Sequence, residues 1–277
     1  MNDKVAVITG CSSGFGLLTA VELARRGWRV VATMRNTSKR ARLDEAAARA
    51  AITARVDVRP LDITNMESIA ESTAEIVRDY GRIDALINNA GFAMAGFIED
   101  LSLEELRRQF DTNFFGHVAV TKALLPTMRQ QRSGHIILMS SISGLIGFPA
   151  MGAYSASKYA LEGFGETLRL EMNPLGIRVV LVEPGAFETD IWEQNVKLAE
   201  AARQHDSPNR ERGLRMRERI RQTKKADPTV VSRVVANICE TPHPRLRYVV
   251  GRDANIGRVL KGLLPWTLFE KLIGGRA

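Results

Sequence analysis

The stretch AYSASKYAL, residues Ala153–Leu161, sets a phenol at Tyr154 and an ammonium at Lys158. On a helix, residues four apart share one face, a turn from each other. A phenol, with an ordinary pKa of about 10, exchanges protons poorly at neutral pH. A fixed cation beside it favours the phenolate and brings that value down. Tyr154 and Lys158 could therefore move a proton to or from a substrate oxygen, or they could be two positions of an ordinary amphipathic helix. The stretch alone is compatible with both.

A second stretch points to a bound cofactor. VAVITGCSSGFGLLTAVELA reads as a strand, a glycine turn and a helix, with spaced glycines at Gly10, Gly14 and Gly16. Glycine allows a sharp turn and a close approach of backbone to ligand. The free N–H groups and positive dipole end of the following helix suit a pyrophosphate. The spacing, G-x-x-x-G-x-G, differs from the G-x-G-x-x-G dinucleotide fingerprint and supports it by analogy.

The same turn contains a competing pattern. Gly10-Cys11-Ser12-Ser13-Gly14 matches the G-x-S-x-G nucleophile elbow of hydrolases. Ser12 would then need a histidine base, drawn from His117, His135, His205 and His243, with an acid behind it. An elbow on the first strand is the wrong place for that fold, so the cofactor reading stands ahead of the serine hydrolase. The end of the second strand, RVVATMRN, sharpens the cofactor reading. An acid there would hold a ribose 2′-hydroxyl, and an arginine accommodates a 2′-phosphate. Met34 fills the acid position and Arg35 follows, so NADP(H) is expected, with NAD(H) as the alternative.

These groups need a scaffold. The 277 residues carry 45% hydrophobic and 25% charged side chains, the composition of an ordinary globular chain. Seven short apolar runs read as strands: Lys4–Thr9, Arg29–Met34, Ala54–Val58, Ile83–Asn88, His135–Ser140, Ile177–Val182 and Arg247–Val250. Their near-continuous hydrophobicity fits parallel strands covered on both faces. Helical patterns alternate with them at Gly16–Arg26, Ser38–Ala50, Met66–Tyr80, Leu103–Arg129, Met151–Asn173 and Pro228–Cys239. Thr64 or Asn65 could cap the third, and Ser102 with Glu105 forms a capping box for the fourth. The rhythm predicts one α/β domain over residues 1–277, a Rossmann-type doubly wound parallel sheet of about seven strands with helices on both faces.

Two segments break the rhythm. Residues 187–227 form a long polar insertion, read as a substrate lid. Within it, Arg203–Lys225 holds most of the net charge of +8: nine Lys/Arg face three Asp/Glu there. No aromatic residues interleave them, which argues against nucleic acid and for a solvated face. Residues 251–277 form a tail rich in Leu, Trp and Phe that could pack on the body, line a pocket, join a subunit contact or touch a membrane surface. Two cysteines, Cys11 and Cys239, give neither a disulfide framework nor metal-ligand spacing. With no signal-peptide pattern and no apolar run long enough to span a bilayer, the expectation is a cytoplasmic protein without a metal or a transmembrane segment.

With these pieces placed, residues 3 to 190 resemble the short-chain dehydrogenase/reductase family, motif by motif and in order. The motifs are Thr9-Gly10…Gly14-Phe15-Gly16, Asp62 in LDIT, NNAG at Asn88–Gly91, Asn113 in TN, the serines before Tyr154, Tyr154-x-x-x-Lys158, and PGAFET at Pro184–Thr189. The resemblance implies a catalytic set of Asn113, Ser141, Tyr154 and Lys158. Tyr154 is then the acid/base, and Lys158 tunes it and holds the nicotinamide ribose. Ser141 bonds the substrate oxygen, with Ser140 and Ser143 as neighbours that could be mistaken for it. Asn113 orders a water leading from Lys158 to solvent. The implied cofactor wall consists of Gly10, Ser12, Ser13, Gly14, Phe15, Gly16, Arg35, Asp62, Ile63, Asn89, Ala90, Gly91, Pro184, Gly185, Phe187 and Thr189, together with Tyr154 and Lys158. Asp62 would lie against the adenine and Thr189 would reach the carboxamide.

EPGAFETD and the overall pattern look similar to the branch with 17β-hydroxysteroid and retinol dehydrogenases. That implies an NADP(H)-dependent oxidoreductase acting on a bulky hydrophobic secondary alcohol or ketone, steroid-, retinoid- or polyketide-like, in the direction of carbonyl reduction. It also implies a homodimer or homotetramer built on the two long helices. The alternatives are a non-catalytic NADP-binding sensor or scaffold and, last, the hydrolase using Ser12.

Overall fold

A computed structural model describes residues 3–189, 196–204, 207–223 and 225–274. In chain order the first half runs Val5–Ile8 (β1), Gly14–Arg25 (α1), Arg29–Met34 (β2), Ala41–Arg49 (α2), Val56–Pro60 (β3), Met66–Tyr80 (α3), Ala85–Asn88 (β4), Ala93–Ala95 (β5), Leu103–Phe110 (α4) and Gly116–Gln131 (α5). Then follow Gly134–Met139 (β6), Gly152–Met172 (α6), Ile177–Pro184 (β7), Val196–Leu198 (β8), Arg210–Gln222 (α7), Thr229–Glu240 (α8), Arg247–Val250 (β9), Arg252–Leu263 (α9) and Trp266–Gly274 (α10).

Seven strands form one parallel sheet in the order β3-β2-β1-β4-β6-β7-β9. The apolar runs end up here because a parallel strand has both faces covered; all four residues of β1 and of β4 are buried. One face packs Leu23, Leu43, Val231 and Val235 onto Ile8, Ala32 and Val180. The other packs Ile69, Ile76, Leu124, Leu161 and Leu168 onto Val7, Leu86 and Leu138. The strand order reverses between β1 and β4, and a crevice opens beyond their carboxyl ends.

Local signals set several boundaries. Asn65 caps α3 by accepting from the Ser68 N–H at 3.0 Å, and Gly81 ends the helix at φ +65°. Ser102 and Glu105 form the anticipated capping box on α4. The single helix expected over Leu103–Arg129 is instead two, α4 and α5, joined by a π-helical turn at Asp111–Phe115 that carries Asn113.

The insertion is not a bare loop. β8 pairs in parallel with β5 to make a second, two-stranded sheet, and α7 follows. The tail folds as α9 and α10, whose buried Ala254 and Phe269 pack on Ile142 and Ile146. Its opposite side leaves Leu263, Trp266 and Leu272 exposed. Among the described residues no helix is long and apolar enough to cross a membrane, and no cluster of metal-ligating side chains occurs.

Candidate active site

The crevice beyond β1 and β4 is a cleft of about 580 Å³, within the size range of cofactor sites. Its floor is the glycine turn. Gly10 sits at φ +74° and Gly14 at φ +56°, a left-handed backbone that only glycine adopts cheaply. Gly16 is required for space: a Cβ there would lie 2.3 Å from the Gly10 carbonyl oxygen and 2.5 Å from Asn89 Nδ2. Asn89 Nδ2 donates to the carbonyls of Thr9 (2.8 Å) and Gly10 (3.1 Å). In return the Thr9 hydroxyl accepts from the N–H groups of Asn89 (2.9 Å) and Ala90 (3.0 Å). The two strand ends are thus stitched together, and the N-terminus of α1 opens into the cleft with Ser12, Ser13, Gly14 and Phe15 on its wall. A helix N-terminus above an uncovered glycine backbone fits a dinucleotide pyrophosphate.

Asp62, Ile63, Asn89, Ala90, Gly91 and Thr189 also line the cleft, and Arg35 stands exposed at its rim. Asp62 Oδ1 accepts from the Thr64 N–H and hydroxyl, at 2.9 and 2.7 Å, which fixes the turn that carries it. Of the cofactor candidates, Gly16, Pro184, Gly185 and Phe187 are not among the lining residues. Pro184 ends β7, Gly185 donates to the Val250 carbonyl at 2.8 Å, and Phe187 is buried edge-on against Phe15. Besides Lys158, three cations line the cleft: Arg108 of α4 and Lys197 of β8, which carry no sequence signal, join Arg35. Lys197 Nζ lies 5.0 Å from the centre of the Phe92 ring, and the charges of Arg108 and Arg35 help to lower its pKa, after burial. A lysine in a three-residue strand of a polar insertion gives no sequence signal.

Tyr154 and Lys158 lie at the inner end of the cleft, both buried, on one face of α6. Lys158 Nζ donates to the Met139 carbonyl at 2.7 Å and stands 5.7 Å from the centre of the Tyr154 ring. Burial raises the phenol pKa, and the Ser141 hydroxyl against it offsets part of that rise. Lys158 does not bring the phenol below its ordinary value here: desolvation is the larger effect. Burial also lowers the lysine, to about 8, against the opposing pull of Glu162. Ser141 begins a short 3₁₀ turn and accepts from the Ser143 N–H at 3.1 Å. Asn113 is fully buried, and both ends of its amide bind the main chain of Phe92: Nδ2 donates to the carbonyl at 2.9 Å and Oδ1 accepts from the N–H at 3.1 Å. Around the phenol the wall is apolar, with Ala93, Met151, Phe148 and Val196.

Among the described residues, no histidine stands free as a base for the competing elbow. Among the described histidines, His117 pairs with the Ala90 carbonyl, His135 with the Thr241 carbonyl and His243 with Arg178; His205 lies outside the described residues. Burial, helped by the Lys158 charge, pushes His117 down to about 3. Burial therefore favours its neutral form. The Cys11 thiol in the same turn is buried and raised, so it is no nucleophile.

A family model described as short chain dehydrogenase matches residues 4–199. The chain belongs to the short-chain dehydrogenase family. It is 40% identical over 276 residues to the uncharacterized oxidoreductase YusZ of Bacillus subtilis, covering 99% of this chain and 98% of that one. It is 44% identical over 190 residues to human retinol dehydrogenase 8, covering 68% of this chain and 60% of that one. A solved short-chain dehydrogenase from Streptomyces avermitilis superposes with a TM-score of 0.83 at 33% identity over 99% of both chains. Two further solved relatives hold nicotinamide cofactors. One is a Burkholderia phymatum enzyme with NAD (TM-score 0.80, 26% identity, 94% of this chain and 93% of that one). The other is actinorhodin polyketide ketoreductase with NADPH (TM-score 0.75, 28% identity, 90% and 95%). The family chemistry is oxidoreduction between CH–OH and C=O groups with a nicotinamide cofactor.

Proposed function

We propose that this family member is an NADP(H)-dependent reductase of bulky, hydrophobic ketones, with Tyr154 as its proton donor. The observation that carries the reading is the burial of Tyr154 and Lys158 together at the inner end of a dinucleotide-shaped cleft, with Ser141 against the phenol. A bound nicotinamide would supply the hydride to the carbonyl carbon, or accept it from the carbinol carbon in reverse. Tyr154 gives its phenolic proton to the substrate oxygen as charge develops there, and regains it in the reverse direction. Burial keeps the phenol protonated beforehand. Ser141 donates to the same oxygen, as an oxyanion donor does. The Lys158 ammonium, 5.7 Å from the centre of the phenol ring, stabilises the phenolate left behind and would hold the ribose of a bound cofactor. Asn113, fixed on the Phe92 main chain, would order a water leading from Lys158 toward solvent.

Arg35 at the end of β2, with Lys197 and Arg108 across the cleft, supports a cofactor carrying an additional phosphate. The apolar wall of Phe148, Met151, Ala93 and Val196 supports a hydrophobic substrate, as does the similarity to retinol dehydrogenase 8. Replacing the phenol oxygen tests the assignment. Tyr154→Phe is expected to bind NADPH within about threefold of wild type by fluorescence titration and to lose about 1,000-fold in kcat across a panel of hydrophobic ketones. Turnover at the wild-type rate would refute it.

A further inference from the structure

Behind the Tyr154–Lys158 pair, on the side away from the cleft, two glutamates are buried in the body of the protein. Glu162 follows Lys158 by one turn of α6, and Glu183 lies on β7; the two are 5% and 0% exposed. Burying two carboxylates requires cations or protons. Arg247 of β9 is the cation, donating to Glu162 Oε2 at 2.9 Å through its terminal nitrogen and at 3.2 Å through Nε. The same arginine bonds the half-exposed Glu166 at 2.6 Å and passes 3.0 Å from Glu183 Oε1.

One guanidinium does not satisfy the group. Glu162 Oε1, both Glu183 oxygens and Ser140 Oγ are buried without an aligned hydrogen bond to any other group. Glu162 lies within reach of both Glu183 and Ser140. A single proton between the carboxyl groups, with the Ser140 hydroxyl turned toward Glu162, satisfies Glu162 and one Glu183 oxygen and leaves the other to the Arg247 charge 3.0 Å from Glu183 Oε1. Glu183 is the member that holds the proton, because it is the more deeply buried and lacks the aligned bonds that Arg247 makes to Glu162. Gly144 makes the arrangement possible. A Cβ there would lie 2.8 Å from Ser140 Oγ, 3.0 Å from Glu162 Cγ and 3.1 Å from the Lys158 carbonyl.

We propose that Glu162 is a positioning residue for Lys158: its single buried negative charge, kept in place by Arg247 and Ser140 and kept single by the proton on Glu183, holds the lysine ammonium in its charged form. Burial pushes the Glu162 carboxyl up, and the Ser140 hydroxyl and the Arg247 charge oppose that rise and favour its anion; burial drives Lys158 toward neutrality, and of the groups around it the anion of Glu162 is the one that opposes this. The charged and titratable groups facing the cluster are Lys158, Tyr154 and Glu166 on α6, Glu183 on β7, Arg247 on β9, Arg258 on α9 and the neutral His117 on α5. None of the others supplies a second buried anion beside the lysine while Glu183 is protonated.

The inference rests on Tyr154 and Lys158 being the proton-transfer pair, and the test has one readout that does not. Activity and NADPH affinity both decline as Lys158 loses its proton with rising pH. Glu162→Gln is expected to move that decline, in kcat/KM and in the NADPH dissociation constant from fluorescence titration, about one pH unit lower. This is about a tenfold loss on the falling side. Glu166→Gln, which removes a half-exposed partner of Arg247 but no buried charge, is expected to leave both profiles in place. Ser140→Ala, a smaller side chain, keeps the test available should Glu162→Gln fail to fold; its expected shift is in the same direction and about a third as large. Profiles that stay at the wild-type pH in Glu162→Gln or Ser140→Ala overturn the inference, as does an equal shift in Glu166→Gln. A shift in the binding profile together with an active Tyr154→Phe would establish the coupling of Glu162 to Lys158 and remove the catalytic reading.

Discussion

On the nucleotide side of the cleft, Thr9, Asn89 and Asn113 direct their side chains at main-chain atoms, and each glycine of the turn has its backbone angle or its clearance set by a neighbour. On the lid side, β8 is three residues long and α7 is a strongly charged helix whose Arg215–Glu211 pair is largely exposed. Asn209 ties the start of that helix to Glu99 and Asp100 through its side-chain amide. One wall is shaped by main-chain geometry that few sequences satisfy. The other is held by side-chain pairs that many sequences could replace. A cofactor common to a whole family needs the first kind of wall, and a substrate that differs from member to member is served by the second.

This contrast can be broken at its strongest point. Gly16→Ala drives a Cβ into the Gly10 carbonyl, which is backbone and cannot swing away. It is expected to weaken NADPH binding by more than about 100-fold and to lower the melting temperature, both measurable by fluorescence. A variant that binds within threefold of wild type would show the turn to be as adaptable as the lid. Arg35→Ala sharpens the contrast at the rim of the same wall. It is expected to change the ratio of kcat/KM for NADPH over NADH by about 10- to 100-fold in favour of NADH, with little change in stability. An unchanged ratio would assign the phosphate elsewhere, with Arg108 and Lys197 the next candidates. Lys197→Ala tests the lid itself and carries the smallest effect. An exposed-rim charge is expected to alter the NADPH dissociation constant by about two- to fivefold, more at low salt than at high, and to leave the melting temperature unmoved.

The same division decides what could be read in the sequence. Arg29–Met34, Met66–Tyr80 and Arg247–Val250 match the folded elements residue for residue, since each shows a clear period or apolar run bounded by turn residues. The capping box at Ser102 and the glycine turn are local motifs, legible because their physics is local. The π-turn at Asp111–Phe115 was not, because one extra residue in a turn barely disturbs a helical pattern. β5 and β8 are too short to show alternation, and α7 has too few apolar residues to reveal a face. The spacing of Tyr154 and Lys158 is compatible with catalysis, their role is legible only with the other motifs in register, and Arg35 is marked by its place after β2. Glu162 does not: a glutamate one turn after a lysine reads as an ordinary surface pair. Only the packing of β7 and β9 against α6 puts it in the interior.

The strand-order reversal between β1 and β4 has a consequence for how the molecule could be taken apart. The glycine turn and Arg35 come from the chain before residue 81, whereas Asn89, Asn113, Tyr154 and Lys158 come from the chain after it. A cut in the surface turn at Gly81 would leave each fragment with half of a nucleotide pocket, and the fragments would meet along the edge where β1 hydrogen-bonds β4. Nucleotide would then act as the glue of a split protein, its concentration setting how much of the reassembled sheet exists.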